Sequence, residues 1–374
     1  MNKYRIGKLL LLPLLLGTFG ACSDFDAVPL EYKEDPAFDV DPAWELELLG
    51  GQPDDRVVVY KDKKYDKLFT RTLGWNGGDG VLTTLLPDGN AFWSFNDSFY
   101  GVVDGETRAR GDCSFPRNSI MVQTPGNEEE NLVWLADFVQ TTNPETSRYQ
   151  ARTHIRHPKA SLSDDKIQEG EIDQDWLYWA GDATVCDNKL QVLWNGVDNT
   201  NPDALMRHEG ICLAIYSLEG KPGDENYMKM LSANHNFNPV DIYGFGSTLW
   251  EDEDGHTYLY GSYNNYDVVV ARSTTHDLDS PWEYYVCDAS GQYIWQHSYP
   301  TQEEISRSRI QETDCSMPWV FKKGDSYYMV AQSKWFGHEM YIFRSDKPYG
   351  PFIERKSLFS IPNTLDKLGP QEYG

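Results

Sequence analysis

"GWNGGDGVLTTLLPDGNAFWSFNDSFYG", residues 74–101, decides how this chain is read. Two aspartates, Asp79 and Asp97, stand at either end of apolar chain broken once, at "PDGN" (87–90). The segments on either side of that break carry aliphatic and aromatic residues in strand-like runs. A Pro-Asp-Gly turn between such runs predicts a hairpin. Asp97 then ends the second strand and comes toward the face that Asp79 occupies.

The same form recurs along the chain. "VCDNKLQVLWNG" (185–196), "WEDEDGHTYLYGS" (250–262) and "FKKGDSYYMVAQS" (321–333) are each a strand, a tight Asp/Gly/Asn turn and a second strand. A small or acidic leading segment precedes each unit: "GGDGVL", "AGDATV", "GFGSTL" and "TDCSMPWV". A third strand follows each: "NSIMVQT", "GICLAIYSL", "DVVVARST" and "EMYIFRSD". "DSPWEYY" and "YGPFIER" then lead into fourth strands. Four antiparallel strands per unit, repeated, predict an all-β chain folded as a β-propeller. Four units are visible. The spacing between corresponding positions is 103 residues from Asp79 to Asp182, 64 on to Gly246 and 68 on to Asp314. The excess in the first interval places insertions at 104–116 and 140–175, and loops of that length tend to carry function. The last unit stops at "GPQEYG". Two readings stay open: residues 54–73 help close the ring, or a final blade is absent. An open ring leaves bare strand edges, which proteins usually avoid.

In a propeller the first strand of each blade lines the central channel. Asp79, Asp182 and Asp314 share that position in their units, and Ser247 takes it in the third. Carboxylates gathered on one axis shift each other's pKa values apart. One protonated acid and one ionised base flanking a glycosidic bond is the requirement of sugar hydrolysis. Asp97 and Glu312 are further candidate acids, and Arg117, in "FPRNS", is placed to hold or tune one. The plain reading of any of these acids is a turn cap, and Asp88, Asp187 and Asp254 are read so outright.

Composition bounds the partners. The formal net charge is −25, and removal of residues 1–21 takes away three positive charges, giving −28. So acidic a chain is a poor partner for nucleic acid or anionic lipid, while a neutral glycan meets no such repulsion. Aromatics make up 14%, with 12 Trp and 23 Tyr, enough to supply both a core and faces for sugar rings. Trp75, Trp179 and Trp319 lie in or near leading strands and are candidate sugar contacts; the bland alternative for each is core packing. Five cysteines remain after Cys22, with no CxxC pair, so two disulfides are the most that can form. No zinc signature and no phosphate-loop spacing is present, so no organic cofactor is expected. An acid-rich channel is also a place that attracts a Ca²⁺ or Na⁺ ion.

The start of the chain, "MNKYRIGKLLLLPLLLGTFGAC", has a short basic region, an apolar run and small residues before Cys22. It reads as a secretory signal peptide, and Leu9–Leu16 is too short for a permanent span. The segment resembles a bacterial lipoprotein signal, which implies lipidation of Cys22. "CSDFD" resembles the surface-export signal of Bacteroidota lipoproteins, which implies an outer-membrane protein exposed at the cell surface. The expected organisation is a signal peptide over 1–21, a tether over 22–50 and a propeller domain over 51–374.

The series "GGDG", "FWSFNDSFYG", "RNSIMV", "WAGDATV" and "MPWVFKKGDSYYMVAQSK" through "SDKPYGPF" resembles five-bladed propeller glycoside hydrolases of the arabinanase, xylosidase and D-arabinanase-like kinds. The likeness spans about residues 70–360 and is nearest to a family of Bacteroidota lipoproteins. It implies a surface hydrolase of pentose- or furanose-containing polysaccharides, with Asp79 as base and Asp182 or Asp314 as acid. Arabinanase-like enzymes place a glutamate acid in the third blade, where "YGFGSTLW" (243–250) has none. Glu312 or Asp314 then substitutes, or the aspartates do all the work, or the protein binds glycan without cleaving it.

Overall fold

The computed structural model describes residues 46–361, apart from 53–56, 63–64, 66–68, 108, 126–131, 141–148, 204–205 and 335–336. The signal segment, Cys22 and most of the tether lie outside the described residues. Among the described residues the first strand is β1 (Leu46–Gln52), antiparallel to β2 (Val57–Asp62).

The structure is all-β. β3 (Leu73–Gly78), β4 (Leu82–Leu85), β5 (Ala91–Phe95), β6 (Ser98–Val103), β7 (Arg110–Ser114), β8 (Ser119–Gln123) and β9 (Leu132–Trp134) divide between two sheets. Sheet one has the order β4-β5-β8-β9, and a side sheet has the order β3-β6-β7. β10 (Phe138–Gln140) pairs with β11 (Tyr149–Ala151), and the short helix α1 (Asp164–Gln168) follows. Sheet two is β12 (Trp176–Cys186), β13 (Lys189–Asp198), β14 (Arg207–Leu218) and β15 (Tyr227–Asn238) in sequence order. Sheet three is β16 (Thr248–Glu251), β17 (Thr257–Tyr263), β18 (Asp267–Ser273), β19 (Trp282–Cys287) and an extra edge strand, β20 (Tyr293–Gln296). After α2 (Gln302–Ile305), sheet four is β21 (Ser316–Lys323), β22 (Ser326–Gln332), β23 (Glu339–Ser345) and β24 (Ile353–Ser360).

The four hairpins expected from sequence are β4–β5, β12–β13, β16–β17 and β21–β22. The turn chemistry is visible in the backbone. Asp187 and Asn188 take φ of 49° and 57°, the left-handed pair of a two-residue turn whose twist matches the strands it joins.

The sheets stack face to face in chain order. First strands adjoin, β4 beside β12, β12 beside β16 and β16 beside β21, as blades meet about an axis. Alternation along each central strand builds two cores at once. On β13, Val192 and Trp194 face sheet one, where they meet Phe92, Ile120 and Val122, while Leu193 faces sheet three. On β17, Leu259 looks back to sheet two while Tyr258 and Tyr260 look on to sheet four. Strands buried on both faces read as nearly unbroken apolar runs, which is why "KLQVLWNGV" lacks polar alternation. The described residues show four such sheets, none closed on itself. β1 runs beside β24, so the β1–β2 hairpin lies along the edge of sheet four as a separate two-stranded sheet.

Both expected insertions carry structure. Residues 104–116 supply β7 and complete the side sheet, and 140–175 supply β11 and α1.

Candidate functional site

Asp79 lies between β3 and β4, and Asp97 between β5 and β6. The backbone ties them: Asp79 N donates to Asp97 O (3.2 Å), and Asn96 N donates to Asp79 O (3.0 Å). The antiparallel hairpin therefore delivers both acids to one end of sheet one. As a residue Asp79 is open to solvent, but the surrounding protein crowds its carboxyl. That burial, reinforced by the negative charge of Asp97, raises its pKa to about 6, against opposing hydrogen bonds from the Asn96 side chain and its own backbone.

Asp97 has the same burial but a different neighbour. Arg117 Nη1 lies 3.3 Å from its Oδ1, with side-chain exposures of 6% and 17%. Burial still raises the Asp97 pKa, and the Arg117 charge opposes it. Trp179, on β12, favours the ionised form with its indole N–H, although it stands outside hydrogen-bond geometry. The Arg117 guanidinium is itself locked: Nε donates to Asp173 O (2.8 Å), Nη2 to Gln174 Oε1 (2.5 Å), and the group stacks on Phe115. Asp173, 2% exposed, takes a bidentate pair from Arg156 (2.7 and 2.8 Å). The 140–175 insertion thus positions the cation that faces Asp97. A cavity of about 160 Å³ adjoins this cluster at Thr153, whose Oγ1 accepts from Arg117 N. Its wall includes Arg152, Arg156, Asp137 and Glu171, two charges of each sign.

The other sequence candidates have partners of their own. Asp182 sits at a bulge in β12, and its carboxylate accepts from Ala183 N and Leu249 N, both at 2.9 Å. It clips sheet two to sheet three. Burial raises its pKa to about 7, and the charge that adds to this is Glu251, not Asp79. Asp314 is exposed and pairs with Arg309 (3.1 Å), which also holds Asp267 (3.1 Å). Glu312 is exposed and accepts from Arg355 N (2.7 Å) beside sheet four. The expectation that the Asp79, Asp182 and Asp314 charges act on one another is corrected: the acid whose charge acts on Asp79 is Asp97, from the same hairpin.

Trp75 is also corrected. It is 2% exposed, with its ring against Phe69, Phe95 and Trp134, so it packs the outer face of sheet one and presents nothing to a sugar. Trp179 is half-buried at the acid pair, and Trp319 is 57% exposed on β21, beside Phe321. All five cysteines in the described residues, 113, 186, 212, 287 and 315, are free thiols. Among the described residues no group of three or more His, Cys, Asp or Glu is placed to hold a metal ion, and no helix is long and apolar enough to cross a membrane. Asn96, Asp173 and Gln174 were not singled out in the sequence. Asn96 is the one with a signal, as the neighbour of Asp97 in "FND".

A search of curated proteins found no match. Among solved structures the chain is similar to one described as a "putative hydrolase" from Bacteroides ovatus ATCC 8483. The two are 62% identical with a TM-score of 0.83, and the match covers 90% of this chain and 83% of that one. A GH43_1 enzyme from Xanthomonas citri matches at 17% identity and TM-score 0.41, over 78% and 75% of the two chains. The xyloglucan-locus GH43B of Bacteroides ovatus matches at 12% and 0.41, over 75% and 41%. Likenesses as loose as the last two assign neither substrate nor site. The profile described as "Domain of unknown function (DUF5005)" matches residues 62–373, and the chain belongs to that family.

Proposed function

We propose that this protein is a glycoside hydrolase acting on a pentose- or furanose-containing polysaccharide, with Asp79 as its general base. The observation that carries the reading is the Asp79–Asp97–Arg117 cluster. A base is most useful when its pKa lies just below the working pH, and Asp79 at about 6 meets that condition. Asp97, kept beside Arg117, supplies the negative charge that makes Asp79 the better proton acceptor. Water attacking the anomeric carbon would lose its proton to Asp79. Asp182, whose pKa burial raises to about 7, or Asp314, just before β21, is the carboxylate from which the leaving group would draw its proton. Trp179, beside the acids, and Trp319, exposed, are the aromatic faces available to a sugar ring. The chemistry needs no organic cofactor.

The architecture that goes with this reading is a five-bladed propeller. The N-terminal segment fits anchoring through lipid at Cys22 on the outer membrane, exposed at the cell surface, with no other membrane contact. A second reading, a glycan-binding lipoprotein without catalysis, is favoured by one observation. Both oxygens of Asp182 are engaged by backbone N–H groups, which leaves the acid role unfilled at the Asp79–Asp97 pair.

The test is product release by the mature protein on arabinans, xylans and mixed plant and bacterial glycans, beside Asp79→Asn and Asp182→Asn. Release by the parent and loss of at least ~100-fold in Asp79→Asn supports hydrolysis with Asp79 as base. No release from any glycan, with retardation on an affinity gel of one of them, replaces hydrolysis by binding.

A further inference from the structure

Two opposite charges face each other where β10 and β11 meet the cavity beside Thr153. Asp137 and Arg152 are the next cross-strand pair beyond Phe138 and Ala151, and Arg152 N donates to Asp137 O (2.8 Å). Opposed charges in such positions attract each other across the strands. Here they form no bridge: among the described residues neither side chain has a hydrogen bond or ion pair, and both line the cavity of about 160 Å³. The other two charges of its wall are already matched. Arg156 is taken by Asp173 (2.7 Å), and Glu171 lies 3.0 Å from Lys166 Nζ. The rest of the wall is mixed. Ile167 and Ile172 are apolar. The His154 ring, with Nε2 2.9 Å from Tyr216 Oη, is neutral at neutral pH, because burial lowers its pKa to about 4 against the charge of Asp137. A cavity of about 150 Å³ is enough to take up one six-membered ring. This one is reached from solvent, since Asp137 is exposed.

We propose that the cavity is a second sugar subsite, holding one neutral monosaccharide unit of a glycan between the Arg152 guanidinium and the Asp137 carboxylate. This role rests on the glycan reading above, not on cleavage. A sugar hydroxyl both donates and accepts, so one unit meets a fork of N–H donors on one side and a carboxylate acceptor on the other. Its C–H face meets the two isoleucines. An acidic sugar gains nothing from a wall with two charges of each sign, on a chain of net charge −25. The subsite is tied to the acid pair by Arg117, whose backbone N donates to Thr153 Oγ1 and whose guanidinium faces Asp97. Neither Asp79 nor Asp97 lines the cavity, so the unit held here is not the one presented to them.

The experiment is a saturation-transfer NMR titration of the mature protein with xylose, arabinose, galactose and glucuronate as probes. A monosaccharide has no glycosidic bond to cut, so the readout is independent of catalysis. At least one neutral probe should bind, and Arg152→Ala should weaken it at least ~10-fold. Asp137→Asn should weaken it too, and the two effects should not add in the double variant, since one bound unit joins both groups. Ile172→Phe, which fills the space of the ring and leaves both charges in place, should abolish binding. Arg152→Ala should keep the parent's thermal midpoint within about 2 °C, because the guanidinium has no partner to lose. Arg152→Lys, which keeps the charge without the fork, gives the same comparison if the alanine variant fails to fold. Binding unchanged in Arg152→Ala, binding by no neutral probe, or glucuronate held more tightly than every neutral probe overturns the subsite. Product release from a glycan, with sugar binding indifferent to Arg152, defeats the subsite alone. Binding that depends on Arg152, without release from any glycan, defeats hydrolysis alone.

Discussion

Replacing Arg117 with alanine tests the electrostatics of the site without any knowledge of the substrate. Arg117 is 5% exposed and serves three acceptors: Asp97 Oδ1, Asp173 O and Gln174 Oε1. Alanine leaves Asp97, 17% exposed, as a carboxylate with no countercharge, and leaves a buried carbonyl without its donor. An adjacent opposite charge lowers a carboxylate's pKa by roughly 1–3 units, and each unit corresponds to about 1.4 kcal/mol. The lost ion pair therefore costs about 1.4–4 kcal/mol at neutral pH, and the orphaned carbonyl about 1 kcal/mol more. We expect a destabilisation of about 3 kcal/mol at neutral pH by urea unfolding followed through tryptophan fluorescence. The sign of its pH dependence is fixed. The folded pKa of Asp97 already lies above its ordinary value, and losing Arg117 lifts it further. The folded variant then binds a proton more readily than the unfolded chain, so it regains stability as the pH falls through that raised pKa. The deficit should shrink by at least ~1 kcal/mol between neutral pH and a pH below the variant's raised Asp97 pKa, where a protonated Asp97 needs no countercharge. A deficit identical at both pH values, or one below about 1 kcal/mol at neutral pH, would refute the assignment of Arg117 as the countercharge of Asp97.

Three further outcomes follow from the same geometry. Gly196→Ala should destabilise by about 3 kcal/mol in thermal or urea unfolding, because a Cβ there collides with the Glu209 carbonyl of the adjoining strand. Trp319→Ala should leave stability within about 0.5 kcal/mol, since the ring is largely exposed, while reducing retardation on an affinity gel if it faces the glycan. On any glycan that is cleaved, kcat/KM should fall with decreasing pH through about 6, as Asp79 takes up its proton, and Asp79→Asn should abolish that limb rather than shift it.

The hairpins were legible because two signals coincide in them: strand-like apolar runs, and turn residues that accept left-handed φ, as at Asp187 and Asn188. The pairing of β3 with β6 was not. "GWNGG" has no alternation for a strand reading to grip, and its partner is fixed by the close approach its glycines allow. β15, "YMKMLSANHNFN", is equally hard to read, because an outer strand with much of one side in water looks like polar loop. At the site, Asp79 and Asp97 were visible as acids, but not as each other's neighbour in preference to Asp182. Spacing between repeats says which positions are equivalent; it does not say whether a carboxylate turns to the channel or, like Asp182, to backbone amides at a seam. Trp75 shows the same limit for aromatics, since a tryptophan that stacks on a sugar and one packed against Phe95 and Trp134 look alike in sequence.

The stacking of the sheets bears on how such a protein can change. Sheets two and three have no face of their own: each side of β13, β14, β17 and β18 is already the wall of a neighbour's core. A substitution there must satisfy two packing partners at once, so drift in the middle of the stack is confined to near-isosteric swaps. The chain ends of the strands carry no such double duty, and the segments joining them can lengthen without disturbing either core. The 140–175 insertion, which fixes the cation beside Asp97 from outside the sheets, has that freedom. New ligand preference in this family would therefore arise by recasting connections at the rim while the interior stays nearly fixed.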